Sequence, residues 1–155
     1  MSEAQPTADP LHLDAQLCFA VYSAAHAYNR LYRPLLDRLR LTYPQYLVML
    51  VLWEADGQTV KALGKRLHLD SGTLTPLLKR LEAAKLLVRE RSSTDERRVL
   101  IHLTDAGRAL KIEAASVPPV IRGAFGGSLA DAQLLRETLT DLRDRLNARS
   151  DTMPA

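Results

Sequence analysis

One segment in the middle of the chain constrains the fold most, because an amphipathic helix is followed directly by two short strands. The helix is predicted at 70–84, after a brief helix at 59–67, and its leucines recur on one side at helical spacing. Strands are predicted at 88–91 and 99–103, with a polar hairpin tip between them. A helix-turn-helix followed by a hairpin is the winged-helix arrangement. The leucines are Leu74, Leu77, Leu78 and Leu81.

Two helices are predicted before this segment. Apolar residues recur at helical spacing from 13 to 31, with Asp14 as a candidate N-cap. Pro34 disfavours helical geometry at the preceding residue, so we expect the helix to end or bend there. A second helix, at about 42–54, is apolar on most sides and should be buried.

Two further helices are predicted after the hairpin. One is capped by Thr104 and runs toward Val117, where the two prolines at 118–119 break it, and the last runs over about 128–148. The winged helix-turn-helix region, about 42–107, leaves the terminal helices free to pair with a second copy of the chain. The predicted fold is therefore mainly α with a small β-hairpin, in a single domain. The dimerisation helices would occupy about 13–40 and 108–149.

Composition and charge limit the function classes. The 155 residues are 46% hydrophobic and 25% charged, as in soluble globular proteins, and a net charge of +3 permits a nucleic-acid partner. We expect no membrane span and no secretory signal, and a single cysteine favours a reducing cytoplasm. His26, His68 and His102 are scattered, so no metal site is predicted. No phosphate loop or Ser-His-Asp set indicates a cofactor or an enzyme.

The face of the 70–84 helix opposite the leucines has the composition of a DNA-reading surface. Small residues allow close approach to the major groove, hydroxyls reach bases or phosphates, and Lys79 and Arg80 meet phosphate charge. Pro76 predicts a late start or an irregular first turn. Taken alone, this face would be interpreted as a solvated one, and the basic hairpin that follows favours DNA. The predicted contact residues are Ser71, Gly72, Thr73, Thr75, Pro76, Lys79 and Arg80.

Arginines cluster around the hairpin tip, which also contains Asp95 and Glu96. A basic tip can enter a minor groove, because narrow A·T-rich DNA attracts arginine. Arg97 lies nearest the turn and is predicted to insert, with Asp95 orienting it through an ion pair. The cluster consists of Arg89, Arg91, Arg97 and Arg98.

Several motifs carry a resemblance to a known family over roughly residues 13–107. The runs LHLDSGTLTPLLKRLE (from Leu67), DERR (from Asp95) and LTDAG (from Leu103) resemble the MarR family of winged-helix regulators. Three other runs are similar to its organic-hydroperoxide sensors, the OhrR repressors, of the type with one cysteine. These runs are LCFAVY, YRPLLD and LTYPQY.

The resemblance implies that the reduced homodimer binds an inverted-repeat operator on double-stranded DNA and represses transcription. An organic hydroperoxide would oxidise Cys18 to a sulfenic acid, and further reaction would release the DNA. Tyr32 and Tyr43 would hydrogen-bond the reduced thiol, with Tyr22 in the same pocket. Because there is no second cysteine, Cys18 must join a small cellular thiol, react with a backbone nitrogen or oxidise further. Many relatives have glycine in place of Lys85, which predicts either a strained helix end or a slightly different exit from the helix here.

Helix geometry constrains this sensor. Cys18 and Tyr32 are 14 residues apart, which is ~21 Å along a straight helix, so a Tyr32 that binds Cys18 must come from the partner subunit. Three alternatives remain open: a regulator relieved by a bound phenolic ligand, a thiol peroxidase and a non-specific architectural DNA binder. In the first of these Cys18 is structural, as a lone cysteine on an apolar helix usually is.

Overall fold

The computed structural model describes residues 9–95 and 97–152, and it confirms a mainly helical fold with a small antiparallel sheet. The sequence predicts frayed tails at 1–10 and 150–155, of which residues 1–8 and 153–155 lie outside the described residues, as does Glu96 at the hairpin tip. None of the helices in the described ranges is long and apolar enough to cross a membrane. The helices are α1 (Leu17–Leu39), α2 (Tyr43–Glu54), α3 (Val60–Leu67), α4 (Ser71–Ala83), α5 (Asp105–Ala114), α6 (Val117–Phe125) and α7 (Leu129–Ser150). The strands are β1 (Gln58–Thr59), β2 (Leu87–Arg91) and β3 (Val99–Leu103).

The chain divides into two compact units, the first ending at Val117 and the second beginning at Pro118. The first unit contains the sheet and the helices α1 to α5, and the second contains most of α6 and all of α7. The sequence holds no linker at this position and predicts no boundary there. The organisation as a single domain with terminal dimerisation helices stays a prediction.

The helix α1 begins later and continues further than the sequence predicts. Asp14 lies inside a single 3-10 turn, Leu13–Ala15, so its predicted role as an N-cap is wrong. The chain stays helical through Pro34, where an end was one of the two predicted outcomes. Pro34 removes one backbone hydrogen bond. Leu36 and Leu39 lie beyond it and are buried in the core, and their packing stabilises the last turns.

The helix α2 is buried as predicted, and its start is defined by a capping box. The amide of Gln45 donates to the hydroxyl oxygen of Thr42, and the amide of Thr42 donates to the side chain of Gln45. Pro44 lies in the first turn, where its missing N–H would have no partner. The core side chains of α2 are Tyr46, Val48, Met49 and Leu52.

The helices α3 and α4 form the helix-turn-helix. Thr59 and Asp70 cap them, each accepting a hydrogen bond from the amide three residues further on, at 3.0 and 2.8 Å. The helix α4 begins at Ser71 and includes Pro76, so a late start is wrong. Pro76 deprives the carbonyl of Gly72 of its helical donor, and the packing of the opposite face compensates for this loss. That face holds the four predicted leucines, each at most 9% exposed.

The predicted hairpin is present, and a third strand extends it. Leu87 of β2 lies opposite Leu103 of β3, and Gln58 of β1 lies opposite Ile101 on the other edge of β3. Ile101 and Leu103 are buried, as the alternation in β3 predicts. The strand β1 is missing from the prediction because two residues are too few to show an alternating pattern.

The region predicted as one helix after the hairpin is divided into α5 and α6. Thr104 caps α5 as predicted, accepting a hydrogen bond from the amide of Gly107 at 3.0 Å, but α5 ends at Ala114. Pro118 and Pro119 lie in the first turn of α6, so the prediction that they break a helix is wrong. The first turn tolerates proline because its amides have no acceptor within the helix.

The helix α7 begins after Ser128, as predicted. Ser128 and Asp131 form a capping box in which each backbone amide donates to the other side chain, at 2.9 and 3.1 Å. No residue of α7 is buried, and five of its six leucines are exposed, with Leu142 half-buried. Exposed apolar surface of this kind is expected of a helix that pairs with a partner, and this pairing stays a prediction. The most exposed of these leucines are Leu129, Leu134 and Leu146.

Asp56 joins the end of α2 to the sheet and to α5. Its carboxylate accepts hydrogen bonds from the amides of Leu103 and Gly57, at 2.8 and 2.9 Å, and from the guanidinium of Arg108 at 2.8 Å. Partial burial would raise the pKa of Asp56, but these hydrogen bonds and the charge of Arg108 outweigh it and lower the pKa. Asp56 is therefore ionised in the folded protein at neutral pH, and its carboxylate holds the end of α2, the sheet and α5 together.

The substitution Asp56→Ala should lower the free energy of unfolding by about 1–3 kcal/mol at neutral pH, because the amide of Leu103 loses its acceptor. The folded pKa of Asp56 is lower than its ordinary value of 3.8. The ionised group therefore stabilises the fold above that value, and this contribution disappears as the pH falls through the folded pKa. Urea unfolding of both proteins at several pH values measures the difference.

Asp105→Ala is the matched control, because the Asp105 carboxylate also faces Arg108, at 3.6 Å, but is fully exposed. It should leave the free energy of unfolding nearly unchanged. Equal losses from the two substitutions, or a loss from Asp56→Ala that stays constant with pH, would contradict the assignment.

Candidate nucleic-acid interface and cysteine site

The outer surface of α4 presents the predicted DNA-reading residues to solvent, with Thr75 half-buried at its edge. Thr73 is partly engaged, because its amide and hydroxyl both donate to Asp70, at 2.8 and 3.3 Å. These hydrogen bonds lower the pKa of Asp70, which keeps the capping carboxylate ionised. The exposed members are Ser71, Gly72, Thr73, Pro76, Lys79 and Arg80.

Asp95 organises the tip of the wing, which is the hairpin of β2 and β3. Its carboxylate accepts a hydrogen bond from the backbone amide of Arg97 at 3.1 Å, and its carbonyl accepts one from the amide of Arg98 at 2.9 Å. The predicted ion pair between Asp95 and the guanidinium of Arg97 is not formed in the described part of the chain. Asp95 instead shapes the turn on which the exposed Arg97 lies.

An ion pair that the sequence does not predict ties α4 to the wing. The carboxylate of Glu82 accepts hydrogen bonds from Nε of Arg89 at 2.8 Å and from the backbone amide of Arg89 at 3.2 Å, and Nη2 of Arg89 lies 2.7 Å away. The hydrogen bond from the Arg89 side chain lowers the pKa of Glu82. The two residues lie on different elements, so neither a helical nor a strand period could have indicated the pair.

The structure brings two of the predicted sensor residues together. The rings of Tyr32 on α1 and Tyr43 at the start of α2 have centroids 4.7 Å apart, and Tyr46 lies 5.9 Å from Tyr32. Cys18 is exposed near the start of α1, and Tyr22 is 62% exposed with its ring 4.3 Å from His26.

Because α1 is one continuous helix, Cys18 does not meet Tyr32 within a single chain. Their 14-residue separation along it corresponds to ~21 Å. Tyr22 is likewise ~15 Å from Tyr32 along the same axis. The folded chain therefore keeps the Cys18 thiol away from its own pair of Tyr32 and Tyr43, as the helix geometry predicts from the sequence.

The tyrosine pair is held in its neutral form. Burial, together with the neighbouring phenols of Tyr43 and Tyr46, raises the pKa of Tyr32 to about 12. Burial also raises the pKa of Tyr43. At neutral pH both hydroxyls therefore carry their protons and can donate hydrogen bonds to an anion such as a thiolate or a developing alkoxide.

A cleft of about 560 Å³ opens beside this pair, between α1 and the start of α2. Asn29, Arg33 and Asp37 line it on α1 together with the two tyrosines. These three polar residues are not among those predicted from the sequence. Their four-residue spacing, which places them on one helix face, is the signal that could have indicated them.

With this geometry established, the chain shows clear similarity to known proteins. Residues 30–114, more than half of the chain, match the family described as transcriptional regulator SarA/Rot. The chain belongs to the SarA/Rot and MarR-type winged-helix transcriptional regulators. It therefore acts in transcription and is not an enzyme, which rules out the peroxidase alternative.

Two relatives and one solved structure show the extent of the similarity. The HTH-type transcriptional regulator TtmR of Methylorubrum extorquens is 55% identical over 95% of this chain and 76% of its own length. The organic hydroperoxide resistance transcriptional regulator of Bacillus subtilis is 46% identical over 92% of this chain and 97% of its own. The structure of reduced AbfR bound to DNA is 36% identical, with a TM-score of 0.72, and covers 86% of this chain and 94% of that one.

The backbone shows the effect of having lysine at position 85, where many MarR relatives have glycine. Lys85 follows α4 with a φ of +60°, in the left-handed region that glycine adopts at little cost. Of the two outcomes predicted there, the strained helix end is the one observed. The amide of Lys85 donates to the carbonyl of Glu82 at 2.8 Å, and its carbonyl accepts a hydrogen bond from the hydroxyl of Thr104 at 2.7 Å. These bonds hold the exit from α4 despite the strain.

The pair of Glu82 and Arg89 should be detectable by amide hydrogen exchange. In Glu82→Ala the backbone amide of Arg89 loses its acceptor, so we expect it to exchange faster than in the wild type, as measured by NMR. Glu54→Ala is the control, because it removes the exposed pair between Glu54 and Arg66, at 3.0 Å, and leaves the wing untouched. An unchanged exchange rate at Arg89 in Glu82→Ala would contradict the contact.

Proposed function

We propose that this chain is a homodimeric repressor that binds an inverted-repeat operator when reduced and releases it when an organic hydroperoxide oxidises Cys18. The observation that carries the proposal is the pair of neutral phenols, Tyr32 and Tyr43, beside an open cleft at one end of the helix that carries Cys18 at the other. In a dimer, the cleft of one copy receives the thiol of the other. The Bacillus subtilis relative, named for organic hydroperoxide resistance, supports the same conclusion.

The DNA-binding half of the proposal rests on the exposed face of α4 and on the wing. Ser71, Gly72, Thr73, Thr75 and Pro76 approach base edges in the major groove, and Lys79 and Arg80 bind phosphates. Arg97 enters the minor groove from the turn that Asp95 shapes. The reduced AbfR relative has been solved on DNA, which supports this mode of binding.

The homodimer is supported by apolar surface that a single copy leaves exposed. Within the first unit, Leu17, Val21 and Tyr22 are exposed on the first turns of α1, and within the second unit five of the six leucines of α7 are exposed. A dimer of winged helices needs its two recognition helices to match half-sites about one helical turn apart, ~34 Å. A change in the orientation of the two subunits therefore weakens binding.

The proposed sensing reaction needs only the Cys18 thiolate, the organic hydroperoxide and a small cellular thiol, with no cofactor. The thiolate of Cys18 attacks the terminal oxygen of the hydroperoxide, an S–O bond forms and the O–O bond breaks. The leaving alkoxide takes a proton and departs as an alcohol, so the sulfur loses two electrons and the peroxide gains them. A small cellular thiol then attacks the sulfenic acid, an S–S bond forms and water leaves. The added group sits between two subunits and changes their orientation.

The substitution Cys18→Ser should separate DNA binding from sensing. We expect it to bind a duplex containing the promoter beside its own gene as tightly as the wild type in a gel-shift titration. Organic hydroperoxide should release the wild type, with hydrogen peroxide less effective, and should leave Cys18→Ser bound. Release of Cys18→Ser by hydroperoxide, or release of the wild type by salicylate alone, would contradict the proposal and favour a ligand-operated regulator. Equal affinity for random DNA would favour an architectural protein.

The substitution Tyr32→Phe should slow oxidation of Cys18 by about tenfold, because it removes one hydrogen bond to a charged group, about 1.5 kcal/mol. The rate of thiol loss at a fixed cumene hydroperoxide concentration, followed by mass spectrometry, measures the effect. The substitution Tyr28→Phe is the control within α1, because the side chain of Tyr28 is exposed and Tyr28 is not among the predicted sensor residues. An unchanged rate in Tyr32→Phe would place the tyrosine pair outside the reaction.

A further inference from the structure

The cleft beside the tyrosine pair is lined by one cation and one anion, Arg33 and Asp37, and both are exposed. Neither side chain forms an ion pair with any residue that the structure describes. The two residues lie one helical turn apart on α1 with the base first, which is the less favourable order for pairing on a helix. Asp141 and Arg145 of α7 have the acid first and do pair, at 3.1 Å. Both charges of the cleft therefore remain open to a group that enters it.

The two charged residues lie at different levels along α1 relative to the phenols. Arg33 directly follows Tyr32, only ~1.5 Å further along the helix axis, whereas Asp37 lies ~7.5 Å beyond Tyr32. The residues that line the cleft include no other arginine or lysine among those described. The cleft therefore has its one positive charge at the level of the tyrosine pair and its negative charge more than a turn away.

Cys18 has no such charge in its own part of α1. The first lysine or arginine of the sequence is Arg30, which is ~18 Å from Cys18 along the helix axis. Cys18 is the second residue of α1, so the helix N-terminus gives a thiolate some stabilisation. Tyr32 and Tyr43 can donate hydrogen bonds to a thiolate but are themselves neutral. A cationic side chain beside the thiolate has to come from another part of the dimer.

We propose that Arg33 of one subunit stabilises the thiolate of the partner's Cys18, and that Asp37 weakens this effect. The inference rests on the proposed function, in which the cleft of one copy receives the thiol of the other. A nearby cation favours a thiolate over a thiol, and a nearby carboxylate disfavours it. The thiolate is the form that attacks the hydroperoxide, so Arg33 raises the rate of sensing. The two residues therefore act with opposite sign on the same sulfur.

The rate at which iodoacetamide alkylates Cys18 measures the thiolate without peroxide or DNA. The rate at about pH 5.5 is divided by the rate at about pH 9.5, where an ordinary thiol is mostly ionised, which cancels any change in access to the sulfur. Arg33→Gln should lower this ratio by about fivefold, because it removes a unit charge close to the thiolate. Asp37→Asn should raise it. A ratio that changes by less than about twofold in Arg33→Gln, or that falls in Asp37→Asn, overturns the inference.

Arg30→Gln is the matched control, because Arg30 is an exposed cation of the same helix that does not line the cleft. It should retain the wild-type ratio. Arg33→Lys should also stay near the wild-type ratio, since the effect depends on charge. A fall in Arg30→Gln equal to that in Arg33→Gln would mean that the net charge of α1, and not the cleft, governs the thiol.

Two heterodimers, each with one thiol and one Arg33, test whether the charge acts between subunits. In the first, Arg33→Gln is paired with Cys18→Ser, so the thiol meets the retained arginine and the ratio should equal that of the wild type. In the second, the wild type is paired with Cys18→Ser/Arg33→Gln, so the thiol and the arginine belong to the same chain and the ratio should fall about fivefold. Equal ratios in the two heterodimers, or the reverse order, overturn the inference.

Failure of this inference is distinguishable from failure of the proposed function. If hydroperoxide releases the wild type from DNA but Arg33→Gln alkylates at the wild-type ratio, the role of Arg33 is wrong and the sensor stands. If hydroperoxide does not release the wild type, the proposed function is wrong, and the two heterodimers still decide whether Arg33 acts on the thiol.

Discussion

The burial of one leucine face of α4 is the interaction on which the rest of the structure depends. Leu74, Leu78 and Leu81 are at most 1% exposed, and they fix the rotation of α4 about its own axis. With that rotation set, the hydroxyls and cations between these leucines can only face outward. The same packing offsets the hydrogen bond that Pro76 removes, so the helix remains continuous at the point where its outer face is most crowded with small residues.

The charged residues divide into those that hold the fold and those left for a partner. Arg89 and Arg108 are each bound by a carboxylate on another element, Glu82 and Asp56, and they join the wing and α5 to the helical core. At Gly107 the α5 backbone lies so close to the carbonyl of Leu86 that no Cβ would fit, and the Gly107 carbonyl also accepts a hydrogen bond from Trp53 at 2.8 Å. The base of the wing is therefore held against α4 and α5. The cations at its tip (Arg97 and Arg98) and on α3 (Lys61 and Lys65) form no ion pair with the described residues, so they can bind a partner.

The proposed sensor depends on a separation within one chain. A continuous α1 keeps Cys18 and the tyrosine pair at opposite ends of a rigid element, so neither end can complete the site by bending toward the other. A second copy is the economical way to bring them together. Oxidation of the thiol would then change the orientation of the two subunits and leave the interior of each one unchanged. A change in that orientation alters the distance between the two DNA-binding surfaces.

The sequence by itself determined the elements that depend on local patterns. The leucine spacing of α4, the cap at Thr104 and the burial of Ile101 and Leu103 in β3 are confirmed, because each depends on residues a few positions apart. Only the tertiary structure decided that α1 continues through Pro34 and that β1 joins the sheet. It also decided the pairing of Glu82 with Arg89 and the cleft that Arg33 and Asp37 line together with the tyrosine pair. These features arise from contacts between residues far apart in the chain or on different elements, and long-range packing can outweigh a local preference such as that of proline.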